Sequence, residues 1–218
     1  MSFDFEQRVK NMKDVKDVFE PLDISLWLER GTVLGHYRDG DFISWDNDVD
    51  FLVFSEVVYP KLSKIEKNLI KLGFNVKIKK QRKYGSRGGS KDGKDRLKIS
   101  ASRQEDVVNI SSYFLNKVLD LRVRIPYRFP SRLFNDNGFI NVRGIQFSCP
   151  EPIEEYLELI YGDWKTPVKT LRSANYHRGK GTTKHNKIDI EYKKLCKKGI
   201  YKYLNTESYN GYQILEGE

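Results

Sequence analysis

The chain is poor in cysteine, in histidine and in long apolar runs. Only two cysteines occur in 218 residues, Cys149 and Cys196. That is too few for a disulfide framework or a zinc cluster, and it fits a reducing, cytoplasmic setting. No His-x-x-x-His pair exists among His36, His177 and His185, so each is read as structural. No run of about 18 apolar residues is present, which excludes an ordinary membrane span. The first residues, Met1 to Gln7, carry acid where a signal peptide carries base and then a long apolar stretch, so secretion by that route is not expected. There is no internal repeat. Neither a Walker A nor a dinucleotide fingerprint has the right spacing. Counted from Asp46, a calcium loop would need Gly at Phe51 and Glu at Val57, so that reading fails as well.

What is present is a core-forming chain with uneven charge. Apolar residues make up 39%, with 13 Tyr and 12 Phe, enough for one substantial core. The net charge of +9 favours polyanionic partners. Between Asp39 and Asp50 stand Asp39, Asp41, Asp46, Asp48 and Asp50, with one basic neighbour just outside at Arg38 and none within. Between Lys77 and Lys98, ten basic residues face only Asp92 and Asp95. An acidic knot inside a basic chain points to a cation site surrounded by phosphate-binding charge.

Apolar spacing predicts a helix over Phe5–Phe19, ended by Pro21, and a buried strand over Ile24–Leu28. Gly31-Thr32 breaks that strand, and Val33–Tyr37 is read as one or two helical turns. Asp48–Phe54 reads as a strand, Glu56–Leu72 as an amphipathic helix capped by Gly73, and Phe74–Ile78 as a half-buried strand. Gln81–Gly93 is a Gly-, Ser- and Lys-rich loop. Strand patterns return over Leu97–Ala101, Val107–Ser111 and Val118–Ile125, with a hairpin over Phe139–Phe147. Pro152 suits the first position of a helix running to Tyr161. The expected architecture is α/β (α+β): a mixed sheet with helices packed on it. Residues 1–168 form the globular domain and 169–218 a basic extension that packs on or near the active site.

The knot has a specific chemistry. Side chains alternate along a strand, so Asp48 and Asp50 project together while Val49 and Phe51 enter the core. Asp46 joins them if the strand starts early. Neighbouring carboxylates repel, and a divalent cation relieves the repulsion. Mg²⁺ (or Mn²⁺) takes one or two carboxylates, waters and substrate phosphates. A further strand-borne acid, Asp120, shares a predicted face with Arg122 and Arg124. Upstream, Gly31-Thr32 before a helix start offers backbone N–H groups to phosphate. Trp45, beside the knot, is the tryptophan expected to meet substrate; Trp27 and Trp164 read as core or rim.

At this point the residues resemble a known family. Gly31-Thr32-Val33-Leu34-Gly35-His36-Tyr37-Arg38 followed by Ile43-Ser44-Trp45-Asp46-Asn47-Asp48-Val49-Asp50 is similar to the LicD/fukutin signature Gly-Thr-x-Leu-Gly-x-x-Arg and Ile-Pro-Trp-Asp-x-Asp-x-Asp, with Ser44 in place of Pro. Tyr161-Gly162-Asp163-Trp164-Lys165-Thr166-Pro167 is similar to the closing motif of LicD proteins. The resemblance runs from about Leu22 to Pro167. It implies a nucleotidyltransferase-like core and a Mg²⁺-dependent transferase that moves a phosphate-linked group, such as phosphocholine or ribitol phosphate, from a CDP-type donor to a glycan hydroxyl.

By that resemblance Asp46, Asp48 and Asp50 form the metal motif, Asp120 the further strand acid, and Gly31, Thr32 and Arg38 the donor-side loop. Arg38, Arg122 and Arg124 are candidate phosphate clamps. Asp120 is a candidate general base or additional metal ligand. Expected partners are a nucleotide-diphosphate donor, a glycan or lipid-linked glycan acceptor, and an anionic membrane surface. Two rivals stand beside this reading. One is a nucleotidyltransferase that adds a nucleotide to RNA, protein or a small molecule with the same carboxylates. The other is a basic module that binds nucleic acid or a membrane surface; the basic stretch lacks the regular aromatics that favour nucleic acid.

Overall fold

The computed structural model describes residues 4–80, 97–117, 119–124, 127–136 and 138–169. The expected loop over 81–93 and the extension beyond 169, with His177, His185 and Cys196, lie outside the described residues.

The chain opens with α1, Phe5–Phe19, as its apolar spacing predicts. Asp4 starts it by accepting the Gln7 N–H at 3.0 Å, and Met12, Val15, Val18 and Phe19 are buried. Next come β1 (Trp27–Leu28), α2 (Arg30–Leu34), β2 (Val49–Phe54), α3 (Ser55–Val58), α4 (Leu62–Lys71) and β3 (Asn75–Lys80). The second half contains β4 (Leu97–Arg103), β5 (Asp106–Asn116), β6 (Leu121–Arg124), β7 (Tyr127–Pro130), the hairpin β8 (Gly138–Val142) and β9 (Ile145–Cys149), and α5 (Ile153–Tyr161). Among the described residues no helix is long and apolar enough to cross a membrane.

The sheet order is β3-β4-β5-β2-β1-β9-β8. The β2–β5 and β1–β9 pairs are parallel and the other pairs antiparallel, the mixed sheet that the sequence leads one to expect. β5 runs past the end of β2, and its last three residues pair with β6, which pairs with β7.

The two faces of the sheet differ in character. Val49, Phe51 and Val53 of β2, with Val108, Ile110, Ile99 and Ala101 across the ladder, are fully buried. At about 1.5–3 kcal/mol for each large apolar side chain removed from water, this face anchors the domain. α1 packs on β5, α4 packs on β3, and the two helices touch. The opposite face carries Asp50, Asn109, Ser111, Ser100 and Lys98, in register across β2, β5 and β4. On that side Tyr156 of α5 packs 4.9 Å from Phe129, which stacks in turn on Tyr113.

Three expectations are corrected. The single helix over Glu56–Leu72 is two helices joined by a 3₁₀ turn at Tyr59–Lys61. Pro60 is the cause, because it lacks the N–H that a continuous helix requires. The strand over Ile24–Leu28 pairs only at Trp27–Leu28, because Asp23 turns through a left-handed φ of 53° and the Ile24 N–H is taken by the Phe19 carbonyl. Asp120 is not on a strand: it occupies the turn before β6 with φ of 49°.

Candidate active site

The site begins where β1 hands the chain to α2. The helix starts at Arg30, three residues before the expected Val33, and continues as a π-helical turn over Gly35–Asp39. Arg30 has φ of 51°, a left-handed conformation costly for any residue but glycine. Several contacts hold it there. Its N–H donates to the Tyr156 hydroxyl at 3.0 Å, and its Nη2 pairs with Glu29 Oε1 at 2.9 Å and Asp50 Oδ1 at 2.7 Å. Its guanidinium lies 5.4 Å from the centre of the Tyr127 ring. Burial opposes charge on Arg30, but Glu29 and Asp50 outweigh it and keep the group firmly protonated. Glu29 is fully buried and accepts the Tyr113 hydroxyl at 2.8 Å.

The next residues lock helix to sheet. The Thr32 hydroxyl accepts the Asp50 N–H at 3.0 Å, and the Thr32 N–H donates to the Glu29 carbonyl at 3.2 Å. The backbone cradle expected at Gly31-Thr32 is therefore partly used up, since the N–H groups of Arg30 and Thr32 are engaged within the protein. Gly31 has a different task. A Cβ at this position would stand 2.4 Å from Asp46 Oδ2, so glycine is what lets the Asp46 carboxylate lie against the helix.

Asp48 and Asp50 leave the start of β2 on one side while Val49 and Phe51 enter the core, as the alternation requires. Asp46 and Asp48 lie within hydrogen-bonding reach of each other. Asn109 Nδ2 donates to Asp48 Oδ2 at 2.6 Å, and Ser100 Oγ donates to Asn109 Oδ1 at 2.9 Å. Burial pushes the Asp50 carboxyl up to about 7, with Asp48 and Glu29 adding to the shift and Arg30 opposing it. Asp46 is raised by burial and by Asp50, and Asp48 by burial and by Asp46. The knot thus holds more negative charge than its neighbours neutralise.

From the apolar side, Arg8 steadies the loop that carries Asp46. This side chain is 1% exposed; Nη1 donates to the Asp46 carbonyl at 2.9 Å and Nε pairs with Asp106 at 2.8 Å. Asn11 donates to the other Asp106 oxygen at 3.0 Å.

The structure distributes the remaining candidates unevenly. Asp120 is not brought to the knot. It lies beyond Asn116, at the far end of β5 from Asn109, roughly 23 Å along the strand. There it accepts the hydroxyl of Ser131 and, through its carbonyl, the Ser131 N–H. Arg122 is ion-paired with Glu56 and stacked 3.7 Å from the Phe54 ring centre, so its charge is already matched. Arg38 is engaged by both Asp39 oxygens, at 2.8 and 2.7 Å, and reaches the Trp164 carbonyl at 3.3 Å. Arg124 lies next to Tyr113 and close enough to Lys98 for their charges to oppose each other.

Trp45 is 41% exposed at the rim of the knot, with the Lys169 ammonium 5.7 Å from its ring centre. Trp27 is buried, and Trp164 packs against Tyr37, as core and rim residues should. Tyr161, at the end of α5, faces Arg30, Asp50 and Asp46. Burial raises its hydroxyl pKa, and the two aspartates raise it further. Both signature segments of the sequence therefore converge, through Tyr161 at the carboxylates and through Arg38 at Trp164. Glu29, Arg30, Lys98, Asn109 and Tyr113 were not singled out as site residues, because each takes its meaning from a cross-strand neighbour.

Among the described residues, no three acidic, His or Cys side chains are gathered closely enough to hold a metal ion between them. Asp120 is remote, and Asp50 leans on Arg30. Asp48 and Asp50, crowded and under-neutralised, match the one or two carboxylates that Mg²⁺ takes from a protein.

Comparison with solved structures finds weak likeness to ANT(2'')-Ia. The solution structure of this antibiotic-resistance factor shares 12% identity over 89% of this chain and 85% of that chain, with a TM-score of 0.44. Its crystal structure in complex with adenylyl-2''-tobramycin shares 10% over 89% and 99%, with a TM-score of 0.43. A search of curated proteins finds no match. The family model for the LicD/FKTN/FKRP nucleotidyltransferase domain matches residues 23–151, which contain β1 to β9 and the whole acidic knot, and the chain belongs to that family of transferases.

Proposed function

We propose that this transferase moves a phosphate-linked group, such as phosphocholine or a polyol phosphate, from a CDP-type donor to a glycan hydroxyl, with Mg²⁺ or Mn²⁺ held by Asp48 and Asp50. The observation that carries this reading is the pair itself. Two carboxylates at the start of a buried strand are both raised by burial, Asp48 further by Asp46 and Asp50 further by Asp48, while Arg30, paired with Asp50, and Lys98 oppose the shift. Such a pair is costly unless a cation and phosphates join it. The family supports the donor and acceptor classes.

The chain's own residues divide the work. Asp48 and Asp50 would hold the ion, with Asp46 beside them against Gly31. When bound, the ion would neutralise charge on the donor diphosphate and on the leaving nucleotide. Arg30 fixes the rotamer of Asp50, and Asn109 fixes that of Asp48. Arg124 is a candidate to hold phosphate oxygens. A diphosphate ester is already activated, so positioning and electrostatics are the main contributions asked of the protein.

The test is thermal-shift measurement with CDP, CMP, UDP, GDP and ADP, each with and without Mg²⁺. CDP should stabilise the protein only when the ion is present. Asp50→Asn should lose that shift and the transfer activity while remaining folded. A fully active Asp50→Asn enzyme would remove the metal reading. With labelled donors, release of CMP is expected; incorporation of CMP itself would make the protein a nucleotidyltransferase.

A further inference from the structure

Lys98, the second residue of β4, stands on the side of the sheet that carries the acidic knot. Asp50 of β2 is directly opposite Asn109 of β5, and Asn109 is directly opposite Ser100 of β4. Lys98 precedes Ser100 by two residues and so shares that face, while Ile99 between them is fully buried on the other. Ser100 donates to Asn109 and Asn109 donates to Asp48, which ties this part of the face to the knot. Two strand spacings across and two residues along put the Lys98 and Asp50 Cα atoms roughly 12 Å apart. A lysine stem covers much of that gap.

Cations therefore approach Asp50 from two sides. Arg30 comes from the β1 side and is committed, paired with Glu29 at 2.9 Å and with Asp50 at 2.7 Å. Lys98 comes from the β4 side and is half-buried. Burial disfavours its charge, Asp50 and Asp48 favour it, and the charges of Arg124 and Arg30 oppose it. The negative charge of the knot thus offsets the cost of placing an ammonium here. A divalent ion on Asp48 and Asp50 would neutralise that same charge. Lys98, Arg30 and Arg124 would then face the ion as like charges. A diphosphate is the anion that can join all four.

Resting on the transferase reading above, we infer that Lys98 is a donor-binding residue that exchanges partners. Asp48 and Asp50 hold its ammonium before the ion binds, and the donor diphosphate takes it afterwards. Lys98 thereby opposes the ion alone and favours ion and diphosphate together, so that each strengthens the binding of the other. A lysine suits this exchange. Its compact ammonium on a flexible four-carbon stem can swing between acceptors, whereas the guanidinium fork of Arg30 is fixed by its two carboxylates.

Isothermal titration calorimetry tests this with two probes, Mn²⁺ alone and CDP in saturating Mg²⁺. The proteins are wild type, Lys98→Met and Lys98→Arg, with thermal melts to verify that the variants are folded. Lys98→Met should bind Mn²⁺ alone about fivefold more tightly, because a nearby positive charge is gone. It should bind CDP in Mg²⁺ about tenfold more weakly, because a charge-assisted contact to phosphate is gone. Lys98→Arg keeps the charge, so its Mn²⁺ affinity should stay within about twofold of wild type and its CDP binding should be partly restored. Opposite changes in the two affinities of Lys98→Met are the signature of the exchange. Loss of both would make Lys98 a support for the shape of the site and overturn the inference. Tighter Mn²⁺ binding with CDP binding unchanged would also overturn it, reducing Lys98 to a counter-charge for the knot. The wild-type protein separates this inference from the reading beneath it. Failure of wild type to bind CDP in Mg²⁺ removes the transferase reading and the inference with it, whereas equal CDP binding by wild type and Lys98→Met removes the inference alone.

Discussion

The Asp46 carboxylate lies against the Cα of Gly31, so closely that a Cβ there would stand 2.4 Å from Asp46 Oδ2. Gly31 lies in the first turn of α2, where alanine would otherwise gain about 1 kcal/mol over glycine. Gly31→Ala should therefore keep thermal stability within about 1 kcal/mol of wild type while driving Asp46 out of place. A displaced catalytic group commonly costs on the order of 100-fold in rate, and transfer should fall by that order. An active Gly31→Ala enzyme would show that Asp46 is not needed where it stands.

Asp120 gives a contrasting prediction. It bonds Ser131 at the far end of β5 and has no contact with the knot. Asp120→Asn keeps an acceptor oxygen for the Ser131 hydroxyl, so transfer activity should stay within about twofold of wild type and the cost in a urea melt should be about 1 kcal/mol. A loss of activity comparable to that of Asp50→Asn would return Asp120 to the mechanism.

These two residues show what the sequence can and cannot reveal. The knot was legible because its chemistry is local: Asp48 and Asp50 are two apart on one strand, and alternation alone puts them on the same side. The α1 helix was legible for the same reason, its spacing being internal to the segment. Asp120 shares that alternation with Arg122 and Arg124, but pattern does not say where a strand begins, and the left-handed turn before Leu121 removes it. Pro60 was a local signal too, and it outweighed the apolar spacing around it. Glu29, Lys98, Asn109 and Tyr113 were not legible, because their roles depend on the register of β1, β2, β4 and β5. Arg8 is a sharper case: in α1 it looks like any solvated helix charge, yet it is buried beneath the loop that carries Asp46.

The pH dependence of stability has an identifiable contributor in His36. Its Nδ1 contacts the Thr32 carbonyl at 2.9 Å, its ring meets Phe42 edge-on at 4.6 Å, and its buried Nε2 has no hydrogen-bond partner among the described residues. Burial lowers its pKa below the ordinary 6.5. The unfolded chain then binds a proton near 6.5 that the folded protein refuses until lower pH. The stability involved is complete above that value and is lost as pH falls toward the folded pKa. Urea melts at pH 7.5 and 5.5 should show a larger loss for wild type than for His36→Gln, which cannot titrate. Equal losses would mean that His36 is not the source.

Arg8 ties α1, β5 and the acidic loop together through one buried guanidinium. Removing it leaves the Asp106 carboxylate, 7% exposed, with Asn11 but, among the described residues, no cation in ion-pair contact, and leaves the Asp46 carbonyl without this donor. Breaking one side of a buried pair costs about 3–5 kcal/mol, so Arg8→Ala should lower the urea midpoint sharply. Arg8→Lys tests position apart from charge. An ammonium is a point donor that cannot reproduce the fork joining Asp106 to the Asp46 carbonyl. This variant should recover part of the stability yet transfer more slowly than its folded fraction accounts for, with the defect in kcat because Asp46 is misplaced. Full activity per folded Arg8→Lys molecule would confine Arg8 to holding the fold.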